Sequence, residues 1–140
     1  MGLNWAIAGG GTGGHVTPAL ALGEAAAERG DQVLFIGSQQ GLEARLVPQA
    51  GFELVTLGSG QVMGRSLAGR AMGVLRILGS VAAARRTLAS FDADVVLSVG
   101  GYAAMPASLA AALRRPPLVL VEPNAVPGRV NRLCARFAGQ

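Results

Sequence analysis

Residues 3–15 read LNWAIAGGGTGGH, a short apolar run followed directly by a glycine-rich turn and a histidine. Residues 95–102, VVLSVGGY, repeat this arrangement about ninety residues later with a second, shorter glycine turn. Glycines let the backbone take positive φ and approach a ligand closely, and a helix that follows such a turn points unpaired N–H groups at anions. Two such turns at one end of a sheet predict a site for a ligand that carries a diphosphate.

The rest of the chain alternates between strand-like and helix-like segments. Strands are expected at 3–8, 32–36, 53–57, 95–98 and 118–121, and helices at 18–29, 42–49, 70–89, 106–113 and 126–137. Pro18 is expected at the first position of the first helix. Strand segments that are apolar throughout indicate burial on both faces, and β-α alternation indicates parallel strands with right-handed crossovers. The predicted fold class is α/β, a doubly wound, Rossmann-like sheet forming a single domain over residues 1–140.

Composition narrows the function classes. The chain has 140 residues, of which 51% are apolar and 14% charged, and its net charge of +4 comes from arginine without any lysine. No run approaches the roughly 18 uninterrupted apolar residues of a membrane span, and the start lacks a signal-peptide pattern. The single cysteine, Cys134, is expected in the core. An aromatic content of 4% argues against nucleic acid. These features predict a cytoplasmic protein.

The first glycine turn has two well-known rivals. Residues 9–14 fit the G-x-G-x-x-G spacing of dinucleotide-binding folds, but the second predicted strand ends in 37–39, GSQ, where such folds place an acidic residue for the ribose. The next acid, Glu43, falls inside the following helix. A Walker A loop also fails, because His15 and Val16 stand where Lys and Ser/Thr are required. The turn therefore indicates a phosphate cradle of another kind.

Three polar residues are candidates for chemistry at the same edge. His15 is the only histidine, and a helix N-terminus disfavours a charged ring, so a neutral imidazole there could act as a general base. A plain hydrogen bond to a phosphate is the alternative. Glu122 and Asn124 follow the fifth strand and suit sugar hydroxyls, although Asn124 could equally cap the last helix and Glu122 could be purely structural. No metal site is predicted.

The segment 58–69 is the longest expected loop, and it leads into a helix rich in arginine. Val62, Met63 and Leu67 lie beside the cations Arg70 and Arg76. Apolar side chains next to arginines predict docking on an anionic membrane surface. An ordinary amphipathic helix with a solvated basic face remains the alternative.

Three motifs together carry a family resemblance: GGTGGH at 10–15, GGY at 100–102 and EPNAVPG at 122–128. In this order the chain resembles the amino-terminal domain of the MurG family, the bacterial peptidoglycan N-acetylglucosaminyltransferases, over essentially its whole length. Two departures stand out. Val121 and Pro123 replace a His and a Gln that usually flank the acidic residue, and Ser98 replaces a frequent glycine.

The resemblance implies one half of a GT-B glycosyltransferase that uses no cofactor. Its partners would be lipid I, the undecaprenyl-diphosphate-linked muramyl peptide, and UDP-N-acetylglucosamine held by a carboxyl-terminal domain expected to be absent from this chain. His15 would be the catalytic base, and Glu122 and Asn124 would line the acceptor pocket. The location would be peripheral, on the inner face of the cell membrane. The acceptor diphosphate would contact Gly11, Thr12, Gly13, Gly14, Gly100, Gly101 and Tyr102.

Two further hypotheses stay open on the residues alone. One is a module that binds a lipid diphosphate or a partner protein without catalysis. The other is a nicotinamide-dependent oxidoreductase, which the spacing of residues 9–14 permits.

Overall fold

Five parallel strands form one sheet in the order β3-β2-β1-β4-β5. The computed structural model describes residues 2–58, 66–113 and 116–139. Every neighbouring pair of strands is parallel, which confirms the predicted doubly wound α/β sheet. The strands are β1 (Asn4–Gly9), β2 (Gln32–Gly37), β3 (Glu53–Thr56), β4 (Val95–Gly100) and β5 (Leu118–Leu120).

Helices cover both faces of the sheet, because successive side chains of each strand point to opposite sides. On one face Ala6 and Val96 pack with residues of the third, fourth and fifth helices, including the fully buried Cys134. On the other face Ile7 and Phe35 pack with the first and second helices. The helices are α1 (Gly13–Glu28), α2 (Glu43–Gln49), α3 (Leu67–Ser90), α4 (Met105–Leu113) and α5 (Arg129–Cys134).

The first helix begins five residues earlier than predicted, at Gly13 and not at Pro18. Thr12 is the extended N-cap, and its carbonyl accepts the N–H groups of His15 and Val16 at 3.1 Å each. Pro18 lies inside the helix, where its missing N–H removes one backbone hydrogen bond. The prediction that Pro18 occupies the first position of the helix is therefore wrong. Because the helix begins at Gly13, His15 lies in its first turn.

The last helix is shorter than the predicted 126–137, because α5 covers only Arg129–Cys134. Its N-cap is Gly128, without a side-chain cap, so the suggestion that Asn124 caps this helix is wrong. At the start of the helix the cause is the Glu122 carboxylate, which accepts the backbone N–H groups of Asn124 and Gly128 at 3.0 and 2.9 Å. These two bonds hold the segment before Arg129 in a loop.

The third helix is longer at its start than predicted. It begins at Leu67, where the Ser66 hydroxyl oxygen accepts the N–H of Gly69 at 3.0 Å. Among the helices of the described segments, α3 alone is long and apolar enough to cross a bilayer by length and composition, a test that core helices also pass. Its second half packs in the core through Val81, Ala84 and Leu88. The first half leaves apolar side chains exposed.

The sheet is irregular where β1 and β4 end. Ala8 pairs with Ser98, whereas Gly9 pairs with Gly100, so the register shifts by one residue between Ala8 and Gly9. The shift draws the two glycine turns side by side at the carboxyl edge of the sheet. Ligands bind at this edge in open α/β folds.

Candidate functional site

The two glycine turns touch each other. Gly101 has a φ of +83°, and a Cβ placed on it would lie 2.5 Å from the carbonyl oxygen of Gly10 and 3.5 Å from Nδ1 of His15. A real Cβ does not approach a backbone oxygen so closely, and L side chains rarely adopt this φ. Only glycine at position 101 permits this contact between the turns.

A cavity of about 650 Å³ opens between the turns. Of the predicted site residues, Gly11, Thr12, His15, Gly101 and Tyr102 line it. The other lining residues are Gly10, Ser38, Gln40, Gly41, Ala103, Gly128, Arg129 and Val130. The sequence prediction that both turns serve one site thus agrees with the geometry, although their ligand stays a prediction.

Five predicted site residues do not line the cavity. Gly13 and Gly14 form the first turn of α1. Gly100 has a φ of +89°, and a Cβ placed on it would lie 3.2 Å from the side-chain amide nitrogen of Asn131. Glu122 and Asn124 lie in the loop before α5, and their part in an acceptor pocket stays a prediction.

Glu43 holds the first glycine turn from outside the cavity. Sequence reasoning considered this residue only as a ribose-binding acid and rejected that role. Its carboxylate accepts the N–H of Gly11 and the N–H of Ser38, each at 2.8 Å, and the Ser38 hydroxyl at 2.7 Å. Glu43 is 1% exposed. A Cβ on Gly10, Gly37 or Gly41 would collide with this side chain. The turn and the carboxylate therefore fit together only because these neighbours are glycines.

Two consequences follow from the Glu43 contact. Burial acts to raise the pKa of Glu43, but hydrogen bonds from Gly11 and Ser38 outweigh burial and lower the pKa below its ordinary value. The carboxylate is thus ionised at neutral pH. The N–H of Gly11 already donates to Glu43, and the expected contact of Gly11 with a phosphate stays a prediction.

His15 is held against Thr12. The Nδ1 atom of His15 and the hydroxyl oxygen of Thr12 are 3.0 Å apart, and the imidazole is half-buried at the cavity wall. When Nδ1 carries the proton and donates it to Thr12, the Nε2 lone pair is free to accept a proton from a ligand. The geometry is therefore compatible with a general base.

Glu122 lies outside the cavity and holds the loop that precedes α5. Its carboxylate accepts four hydrogen bonds, from the backbone and side-chain amides of Asn124, the N–H of Gly128 and the side chain of Asn131. The bond from Gly128 is the largest of the effects that lower the pKa of Glu122 to about 2. The loop held in this way sets Gly128 and Arg129 into the cavity wall.

Sequence reasoning missed Ser38, Gln40, Gly41 and Arg129 as lining residues. The first three follow β2, whose carboxyl end was inspected only for a ribose-binding acid. Glu43, the next acid, is buried and occupied by hydrogen bonds, so it cannot hold a ribose. Within residues 2–58, 66–113 and 116–139, no group of three or more His, Cys, Asp or Glu side chains could hold a metal ion.

The residues predicted to dock on a membrane are only partly described. Leu67 is 85% exposed, and Arg70 and Arg76 are exposed on the same helix. Val62 and Met63 lie outside the described residues. Four further apolar side chains on the first half of α3 are more than half exposed: Met72, Val74, Leu75 and Leu78.

The fold and cavity define a parallel α/β domain with a ligand site built from two glycine turns at the carboxyl edge of its sheet. The chain belongs to glycosyltransferase family 28, because the family's N-terminal domain matches residues 5–140.

Relatives and solved structures point the same way. The chain is 43% identical over 134 residues to a UDP-N-acetylglucosamine–N-acetylmuramyl-(pentapeptide) pyrophosphoryl-undecaprenol N-acetylglucosamine transferase of Solibacter usitatus, covering 96% of the chain and 37% of the relative. A Bordetella pertussis protein of that name is 48% identical over 132 residues, which cover 94% of the chain and 37% of the relative. The chain thus spans well under half the length of these relatives.

The crystal structure of Acinetobacter baumannii MurG superposes with a TM-score of 0.82 at 30% identity, covering 99% of this chain and 40% of that one. The spinosyn rhamnosyltransferase SpnG has a TM-score of 0.62 at 17% identity, covering 96% and 39%. The second likeness concerns the fold alone, which is that of GT-B glycosyltransferases.

Replacing Gly101 by alanine tests the contact between the turns. Gly101→Ala should destabilise the chain by about 2 kcal/mol or more, because positive φ costs about 1–3 kcal/mol and the methyl group meets the Gly10 carbonyl. Gly79→Ala, inside α3, is the matched control, because a Cβ there meets nothing within 4 Å. Alanine at position 79 should raise the free energy of unfolding by at most about 1 kcal/mol. Urea unfolding measures both. Equal changes in the free energy of unfolding for the two variants would contradict the contact between Gly101 and Gly10.

The Glu122 network predicts a pH dependence. Because the folded pKa of about 2 lies below the ordinary value of 4.5, the carboxylate stabilises the fold above about pH 4.5, and this stabilisation is lost as pH falls towards 2. Glu122→Gln should therefore lower the free energy of unfolding at pH 7, with a smaller difference from the unchanged chain at pH 3. Glu24→Gln, at an exposed position of α1, is the control, and its difference from the unchanged chain should be the same at pH 7 and pH 3. Parallel pH curves for the unchanged chain and Glu122→Gln would refute the assignment.

Proposed function

We propose that this chain is the acceptor-binding half of a glycosyltransferase that moves N-acetylglucosamine from UDP-N-acetylglucosamine to lipid I, forming lipid II. The observation that carries this proposal is the single cavity shared by both glycine turns and His15. The family match and the activity for which the relatives are named support the reaction. The donor nucleotide would be held by a second domain, and this chain alone would be inactive.

The chemistry assigned to the cavity is an inverting transfer. His15 takes the proton of the acceptor sugar hydroxyl through Nε2, and the hydroxyl oxygen forms a bond to the anomeric carbon of N-acetylglucosamine. The bond from that carbon to the UDP oxygen breaks, and UDP leaves with the electron pair. A β-1,4 link to the muramyl sugar results. Thr12, which contacts Nδ1 of His15 at 3.0 Å, orients the ring for this step.

The diphosphate of the acceptor would lie between the turns. The amides of Thr12, Gly13 and Gly14 at the start of α1, and those of Gly101 and Tyr102 opposite, are the proposed donors. Backbone N–H groups at a helix start suit phosphate oxygens because they have no partner inside the helix. Glu122 and Asn124 are proposed to border the sugar from the loop before α5.

The proposed location is the inner face of the cell membrane, with the protein bound peripherally. Lipid I is membrane-bound, so the half that receives it must approach the headgroups. The exposed first half of α3 combines apolar Leu67, Leu75 and Leu78 with cationic Arg70 and Arg76. Apolar insertion and attraction to anionic lipid would act together there.

A non-catalytic module that binds lipid diphosphates would use the same cavity, and turnover separates the two possibilities. We join the chain to the carboxyl-terminal domain of the Bordetella pertussis relative and measure sugar transfer to a soluble lipid I analogue. His15→Ala should lower kcat by about 10²–10⁴ while KM changes little, as expected for a general base. Thr17→Ala, an exposed neighbour on α1, should keep full turnover. Absence of transfer by the unchanged fusion, with intact binding of the analogue, would favour the module.

Membrane docking is tested with the chain itself and sedimented vesicles. Each arginine near an anionic surface contributes about 1 kcal/mol, so the double variant Arg70→Gln/Arg76→Gln should reduce partitioning onto phosphatidylglycerol vesicles about 30-fold at low salt. The control Arg45→Gln/Arg132→Gln removes the same charge from exposed positions on α2 and α5. An equal loss in both pairs would show that α3 is not the docking face.

A further inference from the structure

Charge is unevenly distributed around the cavity. Of its lining residues, only Arg129 carries a full charge at every working pH, and none is a carboxylate. The Glu43 carboxylate lies directly behind the opposite wall, since it binds the N–H groups of the lining residues Gly11 and Ser38 at 2.8 Å. The cavity thus has a guanidinium at Arg129, and a carboxylate lies behind its wall at Gly11 and Ser38.

The position of Arg129 is fixed by its neighbours. Gly128 is held by the Glu122 carboxylate at 2.9 Å, and Val130 is 6% exposed in the core. Both neighbours anchor the backbone, while Arg129 itself is exposed at the wall. In the described parts of the chain the one salt bridge joins Arg29 to Asp31, so no described carboxylate pairs with Arg129.

Among the described residues, no salt bridge joins Glu122 to this cation. Glu122 lies outside the cavity, and its charge is shared among four hydrogen-bond donors. Charge-assisted hydrogen bonds from a guanidinium to phosphate are about twice as strong as neutral ones, and the guanidinium fork can bind two oxygens at once.

We propose that Arg129 binds the diphosphate of the acceptor together with the two glycine turns, so that the uncharged residues Ser38, Gln40 and Gly41 are left to receive its neutral sugar and amide groups. This inference rests on the proposed function and adds to it a direction for the ligand within the cavity. It also adds a phosphate-binding residue that neither the glycine turns nor His15 predict.

The test is an NMR titration of the whole 140-residue chain with inorganic pyrophosphate, which gives affinity and contact map together. The unchanged chain should show saturable amide shifts, larger at Gly101, Tyr102 and Arg129 than at Ser38 and Gly41. Arg129→Gln should weaken binding about 10-fold or more, since a charged hydrogen bond is lost. Arg129→Lys should recover part of the affinity through its charge.

Arg132→Gln is the matched control, because Arg132 is exposed on the same helix but does not line the cavity. Its affinity should change less than about 2-fold through the long-range field alone. Equal weakening by Arg129→Gln and Arg132→Gln, or shifts centred on Ser38 and Gly41, would overturn the role of Arg129 and leave the proposed function standing. A lack of saturable shifts in the unchanged chain would count against both the diphosphate site and Arg129.

Discussion

The site depends on the close approach of two backbone turns that carry no side chains where they meet. Gly101, at a φ of +83°, lies against the Gly10 carbonyl, and any Cβ there would push the turns apart. The shift in register between β1 and β4 brings these turns together, and His15 stands at their junction. The cavity, its lining amides and the placement of the candidate base all follow from this contact.

Two carboxylates maintain the turns from outside the cavity. Glu43 binds the first turn through the Gly11 amide, and Glu122 binds the loop that ends at Gly128. Each carboxylate is held by several donors, so each pKa lies below its ordinary value. Buried or well-bonded anions of this kind fix backbone geometry without entering the cavity. The cavity wall thus contains five glycines, the imidazole of His15, the guanidinium of Arg129 and the polar side chains of Thr12, Ser38, Gln40 and Tyr102.

Local sequence predicted the sheet and both turns, because continuous apolar runs and glycine clusters act over a few residues. It failed at helix ends and at contacts between segments that lie far apart in the sequence. The helix expected to begin at Pro18 already begins at Gly13, without a side-chain cap from Thr12, and the helix expected from Val126 begins only at Arg129, after the loop that the Glu122 carboxylate binds. The contact of Glu43 with Gly11 spans 32 residues of sequence. No local pattern indicates such a pairing, although the small residues around Glu43 are compatible with it.

The most direct measurement is a crystal structure of the chain with a short-chain, soluble analogue of lipid I. We expect the diphosphate oxygens within about 3 Å of amide nitrogens from both turns, Thr12–Gly14 on one side and Gly101–Tyr102 on the other. A diphosphate that contacts one turn alone, or binds outside the cavity, would contradict the shared site on which the proposed function rests.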